Sequence, residues 1–238
     1  MRNSKRGTRD KQIRDMFASI APRYDLLNSV LSFNLHRYWR RFAVAKCELS
    51  PGDSALDVGT GTGDLAIELA RTVGERGCVV GLDFCGPMLD LAARKISRIG
   101  ITNTTLLEGN AEKLPLHSDS YQAAVAGFAI RNVESIEAAL AEMTRIVVPG
   151  GRVVILELAT PRGSLFRIAH GLYSNRLLPL IGWAVNRKRG PYDYLPASVA
   201  SFLSREELKS LMVKVGLTDV RVYDLTGGAV AVHAGTKR

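Results

Sequence analysis

Cysteine is scarce in this 238-residue chain. Cys47, Cys78 and Cys85 are the only three, and none belongs to a Cys-x-x-Cys pair. An odd, scattered set makes a poor disulfide framework or zinc site, so no metal is expected and a reducing cytoplasm is the expected compartment. Cys78 lies in an apolar, strand-like run and is expected to be a small buried hydrophobe. Long apolar runs are also missing. Met1 to Arg6 has no apolar stretch behind it, so no secretory signal is expected. The longest near-apolar run, 177–185, counts nine residues even with Pro179 and Gly182 allowed. A spanning helix needs about 20, so the chain is not expected to cross a bilayer. There is no internal repeat and no low-complexity tract.

What is present suits one sizeable α/β domain. Hydrophobic residues make up 46% of the chain, enough for a core, which excludes disorder of the whole. The net charge of +9 is uneven. Residues 1–46 hold 11 Lys/Arg against 3 acids, and residues 161–200 hold 6 against one. Two basic appendages on a mildly acidic body suit an anionic partner, either a membrane surface or nucleic acid. An ordinary solvated face is the plainer alternative.

The hydrophobic pattern alternates. Ile13, Met16, Phe17 and Ile20 mark an amphipathic helix over 8–20, and further helix is expected over 39–47. Strands are then expected at 54–58, 78–82, 104–108, 121–127 and 152–158. Helices fall between them at 64–73, 87–99 and 135–147. Strict alternation implies βαβ units and a parallel sheet covered on both faces. Pro149-Gly150-Gly151 is expected to turn the chain into the fifth strand. Residues 161–200, rich in Leu and aromatics but broken by Pro161, Pro179, Gly182, Pro191 and Pro196, form an insertion. Ser204 and Glu207 form a capping box opening a helix to Val215, which Gly216 stops. Residues 220–223 and 229–233 close the chain as a strand pair.

The sharpest local signal is Asp57-Val58-Gly59-Thr60-Gly61-Thr62-Gly63, between a strand and a helix. Ligands in open α/β sheets bind beyond the carboxyl ends of such strands. A dinucleotide fingerprint is G-x-G-x-x-G and delivers pyrophosphate to a helix N-terminus. Here the third glycine comes one residue early, and Asp57 precedes the first glycine by two. A carboxylate beside the loop disfavours pyrophosphate and favours a cation. S-adenosylmethionine carries an ammonium and a sulfonium and no phosphate. Asp83 ends the next strand, where a carboxylate accepts from ribose hydroxyls. Asn110 and Ala111 follow the third strand, where an amide and a backbone N–H can read an adenine edge. Each of these could singly be a polar strand end; the three together are the signal.

The three-strand pattern resembles the class I S-adenosylmethionine-dependent methyltransferase fold: Rossmann-like, with a mostly parallel seven-stranded sheet and an antiparallel last strand. N-terminal helices and an inserted cap complete the expected single domain. Its parts are an N-terminal helical substrate arm (1–49), a cofactor core (50–160), a cap insertion (161–203), and a closing helix and strand pair (204–238). The segments Tyr24-Asp25-Leu26-Leu27-Asn28-Ser29-Val30-Leu31-Ser32-Phe33-Asn34-Leu35-His36-Arg37-Tyr38-Trp39 and Gly127-Phe128-Ala129-Ile130-Arg131-Asn132-Val133 carry a closer resemblance. So do Tyr192-Asp193-Tyr194-Leu195-Pro196 and Leu225-Thr226-Gly227-Gly228 with His233. On these the chain is similar to the ubiquinone/menaquinone biosynthesis C-methyltransferases. Leu27, Asn34 and Gly127 depart from the family pattern, which commonly has Met, Gly and Ser there.

The resemblance implies methyl transfer from S-adenosylmethionine to a ring carbon of a prenylated quinol: demethylmenaquinol, or 2-polyprenyl-6-methoxy-1,4-benzoquinol. It implies Thr62, Asp83, Asn110 and Ala111 as cofactor positions, with Asp57, Gly59, Gly61, Gly63 and Gly127 beside them. A free phenol has a pKa of about 10, so the enzyme must assist its deprotonation. Arg131 is the first candidate to stabilise the resulting oxyanion, and Tyr24 and Asn132 are candidates to hydrogen-bond the quinol oxygens. His36 is a candidate general base or, equally, a packing or capping histidine beside Trp39. Asp25 is expected to pair with a local arginine. The insertion, with ten large apolar residues and six basic ones, is expected to form a cap whose rim touches an anionic membrane transiently. The expected location is therefore the cytoplasmic, inner face of that membrane. The oligomeric state stays open between monomer and homodimer. No Asn/Asp-Pro-Pro-aromatic segment follows the fourth strand, and no stacking-aromatic module is present, so no nucleic-acid partner is expected. A methyltransferase for another phenol or lipid, an RNA methyltransferase, and a non-catalytic cofactor-binding subunit are the competing readings.

Overall fold

The computed structural model describes residues 2–162, 198–199 and 201–238, with side chains from residue 11 onward. Most of the cap insertion, including Tyr192-Asp193-Tyr194-Leu195-Pro196 and the apolar and basic residues expected at a membrane rim, lies outside the described residues.

Seven strands form one sheet in the order β3-β2-β1-β4-β5-β7-β6. β1 (Ser54–Val58), β2 (Cys78–Asp83), β3 (Thr104–Glu108), β4 (Tyr121–Gly127) and β5 (Val147–Leu158) pair in parallel. β7 (Val230–Lys237) runs antiparallel to both β5 and β6 (Leu217–Leu225). Chain order reverses between β1 and β4. That switch point opens a crevice at the carboxyl edge.

Both faces of the sheet are covered. Val79, Val125, Val154 and Leu156 pack against α3 (Leu35–Ala45) and α4 (Asp64–Val73). α5 (Gly86–Arg98) extends that layer over β3. Leu56, Leu82, Ala126 and Ile155 face the other way, against α6 (Ile136–Ile146) and α7 (Arg205–Lys214). Two-sided burial explains why these strands are apolar throughout rather than alternating. Each fully buried Leu or Ile contributes about 1.5–3 kcal/mol. Ser204 and Glu207 close the expected capping box of α7, and Gly216 ends that helix at φ +98°.

The structure corrects three expectations. Cys78 is exposed, because it occupies the outer first position of β2. Pro149-Gly150-Gly151 does not precede β5 but sits within it: Tyr121 pairs with Val147, and Ala123 already pairs with Arg152. Proline cannot donate to a ladder, so the strand bulges there instead of ending. The N-terminal arm carries a helix that was not anticipated, α2 (Tyr24–Leu31), after α1 (Arg2–Ile20). Asn34 starts α3 in the left-handed region, at φ +61°. That conformation accounts for glycine as the common family residue, and asparagine is among the few other residues that tolerate it.

Candidate active site

A cleft of about 230 Å³ opens where β1, β2 and β4 end. The glycine loop forms its floor. Gly59 sits at φ +71°, and a Cβ there would lie 2.3 Å from the Cβ of Ala129. The loop and the turn after β4 are therefore packed too closely for any side chain at 59. At Gly61 an added Cβ meets nothing within 4 Å, so this part of the loop borders open cleft.

Asp83 closes one side of the cleft. It is buried, and its two oxygens accept backbone N–H bonds from Gly61 at 2.8 Å and Cys85 at 2.9 Å. Burial pushes its carboxyl above the usual range, while these N–H donors pull it down. A carboxylate offers about four acceptor positions, so capacity remains for a ribose hydroxyl. Asn110 and Ala111 line the cleft as well. The Asn110 Oδ1 accepts from the N–H of Glu112 at 2.8 Å, which fixes the side chain.

The roof comes from the N-terminal arm. Ile13, Arg14 and Phe17 of α1 line the cleft together with Tyr24 at the start of α2. They rest on α5 through Ala21, Cys85 and Met88. The far wall is the turn after β4, with Phe128, Ala129, Ile130, Asn132 and Val133. Phe128 is held at φ +58°. Its N–H donates to the Leu156 carbonyl at 2.8 Å, and its ring meets Trp39 edge-on at 6.1 Å between centroids.

The sequence pattern of the ubiE/COQ5 methyltransferase family matches residues 5–237. The chain belongs to that family. It is 44% identical over 228 residues to the "Ubiquinone/menaquinone biosynthesis C-methyltransferase UbiE" of Geobacter sp. (strain M21), covering 95% of this chain and 97% of that one. It is 36% identical over 230 residues to the "Demethylmenaquinone methyltransferase" of Shouchella clausii, covering 97% and 98%. Among solved structures, a SAM-dependent methyltransferase from Aquifex aeolicus has the same fold, with a TM-score of 0.65 at 20% identity over 86% of this chain and 93% of that one. The fold is thus the class I methyltransferase fold, and this family member is an S-adenosylmethionine-dependent methyltransferase.

The cleft fits that cofactor. A buried carboxylate with free acceptor capacity suits a ribose, and glycines bordering open space suit close backbone approach. Of the residues singled out in the sequence, Gly59, Gly61, Asp83, Asn110, Ala111, Gly127, Tyr24 and Asn132 are brought together around the cleft. At Gly127 a Cβ would press on Leu65 Cδ2 at 3.1 Å, so the missing side chain relieves a packing contact.

Five residues lie elsewhere. Asp57 is buried beneath the loop, accepts from the Thr60 hydroxyl at 2.7 Å, and is pushed up to about 7 by its burial. It shapes the loop from below rather than facing a ligand. Gly63 faces α5, where a Cβ would meet Ala92 at 3.1 Å. The Thr62 hydroxyl donates to Asp25 at 2.6 Å and accepts from Lys95 at 3.1 Å. Asp25 pairs with Lys95 at 2.6 Å, not with the expected arginine. His36 is buried between Ser29 and Arg40, and burial together with the Arg40 charge lowers it to about 4. Such a ring stays neutral near pH 7, and His36 does not line the cleft.

Arg131 is the fifth. Its guanidinium lies behind the cleft wall, donating to Glu157 Oε1 at 2.5 Å and to the Phe128 carbonyl at 2.8 Å. Sequence reasoning missed Glu157 entirely. Its one signal was an acid inside the apolar run 153–158. The roof residues of α1 were visible as a stripe, but the surface they cover was not.

Proposed function

We propose that this methyltransferase places a methyl group on a ring carbon of a prenylated quinol, with demethylmenaquinol as acceptor. The methoxy-polyprenyl benzoquinol of ubiquinone synthesis is the second acceptor to be compared. Family membership over nearly the whole chain carries this reading. The cleft agrees with it: beyond the polar Asp83 end, its walls of Ile13, Phe17, Phe128, Ile130 and Val133 suit a flat aromatic ring.

Bound S-adenosylmethionine supplies an electrophilic methyl group carried on sulfur. Asp83 would hold the ribose, and Asn110 with the Ala111 N–H would hold the adenine. Tyr24 and Asn132 line the same cleft, and their hydroxyl and amide would serve as donors to the quinol oxygens. Donors held there stabilise a phenolate better than water does, because they need no reorganisation. Much of the rate comes from fixing the acceptor carbon in line, which the packed roof and wall accomplish.

A polyprenyl tail is insoluble, so the enzyme works at an anionic membrane surface, at its cytoplasmic face. Exposed Leu26 and Val30 on α2 and exposed Tyr38 on α3, beside exposed Arg37 and Arg41, support a peripheral contact. None of the described helices is long and apolar enough to cross a membrane.

The test gives purified protein and methyl-labelled cofactor the two reduced quinols side by side and identifies products by mass. Ring-labelled menaquinol is expected. A label that enters neither quinol sinks the proposal. Sedimentation with anionic vesicles, weakening as salt rises, tests the membrane contact, and absence of binding at low salt refutes it.

A further inference from the structure

Glu157 occupies the next-to-last position of β5, where it is buried beside the β4 edge. Its side chain is 2% exposed and that of Arg131 is 8% exposed. A carboxylate so deep carries a large desolvation penalty, and removing its partner would leave a bare buried charge. An apolar residue would pack there as well or better. The pair therefore serves something other than bulk stability.

The geometry shows what it serves. One nitrogen of Arg131, Nη1, donates to both Glu157 Oε1 and the Phe128 carbonyl. Glu157 is itself anchored, since Oε1 also accepts the N–H of Leu158 at 2.9 Å. Phe128 is a bulky residue at φ +58°, a conformation that persists only when its surroundings impose it. The next residue, Ala129, is the one that abuts Gly59 of the cofactor loop. Phe128, Ala129, Ile130, Asn132 and Val133 supply the far wall of the cleft.

We infer that Glu157 is a positioning residue for the methyl acceptor: acting through Arg131, it clamps the left-handed turn at Phe128 and so sets where the cleft wall and Asn132 stand. This rests on the acceptor reading given above. Glu157 does not line the cleft, and β5 supplies it as a rigid post behind the wall.

The experiment compares wild type, Glu157→Gln, Arg131→Met and the paired Arg131→Met/Glu157→Met variant. The paired variant removes both charges at similar volume, so it leaves no bare charge to unfold the protein. Four quantities are read: melting temperature, cofactor affinity by calorimetry, acceptor KM, and kcat on reduced demethylmenaquinol. The paired variant is expected to melt within a few degrees of wild type and to bind cofactor within about threefold, yet to lose at least about tenfold in kcat. Its kcat should match that of Arg131→Met, because two residues acting as one unit are not additive. Wild-type kcat in the paired variant or in Glu157→Gln overturns the assignment. So does a kcat loss matched by equal losses in cofactor affinity and melting temperature. A wild-type enzyme that leaves the quinol unmethylated overturns the acceptor reading itself and this inference with it.

Discussion

The Thr62 hydroxyl of the glycine loop donates a 2.6 Å hydrogen bond to Oδ1 of Asp25, on the first turn of α2. Lys95 Nζ closes the arrangement from α5, at 2.6 Å from the other Asp25 oxygen and 2.7 Å from Asp64. The arm that roofs the cleft is thus latched to the loop beneath it. Replacing Asp25 with Asn removes the charge from the latch. The Asp25 side chain is 46% exposed, so solvent screens it and the effect is modest. Cofactor affinity should weaken by roughly threefold to tenfold, and titrations at several salt concentrations will show it. Unchanged affinity at low salt would mean that the latch is idle.

Gly59 and Gly61 share positive φ but differ in surroundings, so the same substitution should act differently at each. Gly59→Ala drives a Cβ into Ala129 and should lower stability by about 1–3 kcal/mol or more. Gly61→Ala meets no protein atom within 4 Å, so it carries only the backbone cost of its positive φ, about 1–2 kcal/mol, and should in addition weaken cofactor binding, because its Cβ enters open cleft. Thermal melts beside calorimetric titrations separate the two. Adding Ala129→Gly should return part of the stability lost by Gly59→Ala but none of the binding lost by Gly61→Ala.

His36 gives a pH test. Its folded value near 4 lies below the ordinary 6.5, so the folded state binds fewer protons there than the unfolded chain. Its contribution is complete above about pH 6.5 and fades as pH falls toward 4. Asp57, raised to about 7, acts in the opposite sense over much of that window. Comparing wild type with His36→Gln cancels the Asp57 effect. The stability gap between them should narrow from pH 7 to pH 4. Turnover of His36→Gln at pH 7 should stay within a few-fold of wild type, whereas a general base would lose orders of magnitude.

Trp39 donates from Nε1 to the Thr226 hydroxyl at 2.8 Å, tying α3 to the turn between β6 and β7. Trp39→Phe should cost about 1 kcal/mol, or roughly 2–4 °C of melting temperature in a domain of this size. A larger fall in kcat than in stability would show that the Trp39 face against Phe128 also steadies the cleft wall.

Much of the fold was legible because its signals are local. Strands β1, β3 and β4 fall where the apolar runs end in turn residues, and the capping box located the start of α7. Backbone-dependent site residues were legible for the same reason: Gly59, Gly61 and Asp83 sit at strand ends, where topology alone fixes their place. Side-chain direction was not legible. Arg131 looked available because its partner Glu157 stands 26 residues away on another strand. His36 stayed open between a base and a packing histidine because nothing in the sequence reveals that Arg40 and Ser29 enclose it. Cys78 looked buried because hydrophobic character cannot tell the first position of a strand from the second. The α2 helix is eight residues long, bounded by Pro22 on one side and left-handed Phe33 and Asn34 on the other. That is too short for a periodic pattern to stand out.

The central claim is that the cleft at the carboxyl edge was built around Asp83 for a phosphate-free, cationic methyl donor. Calorimetric titration of wild type and Asp83→Ala with S-adenosylmethionine, NAD and ATP tests it most directly. Wild type should bind S-adenosylmethionine and neither nucleotide, and Asp83→Ala should weaken that binding by roughly 10- to 100-fold. Tight NAD or ATP binding with indifference to S-adenosylmethionine, or undiminished binding in Asp83→Ala, would contradict it.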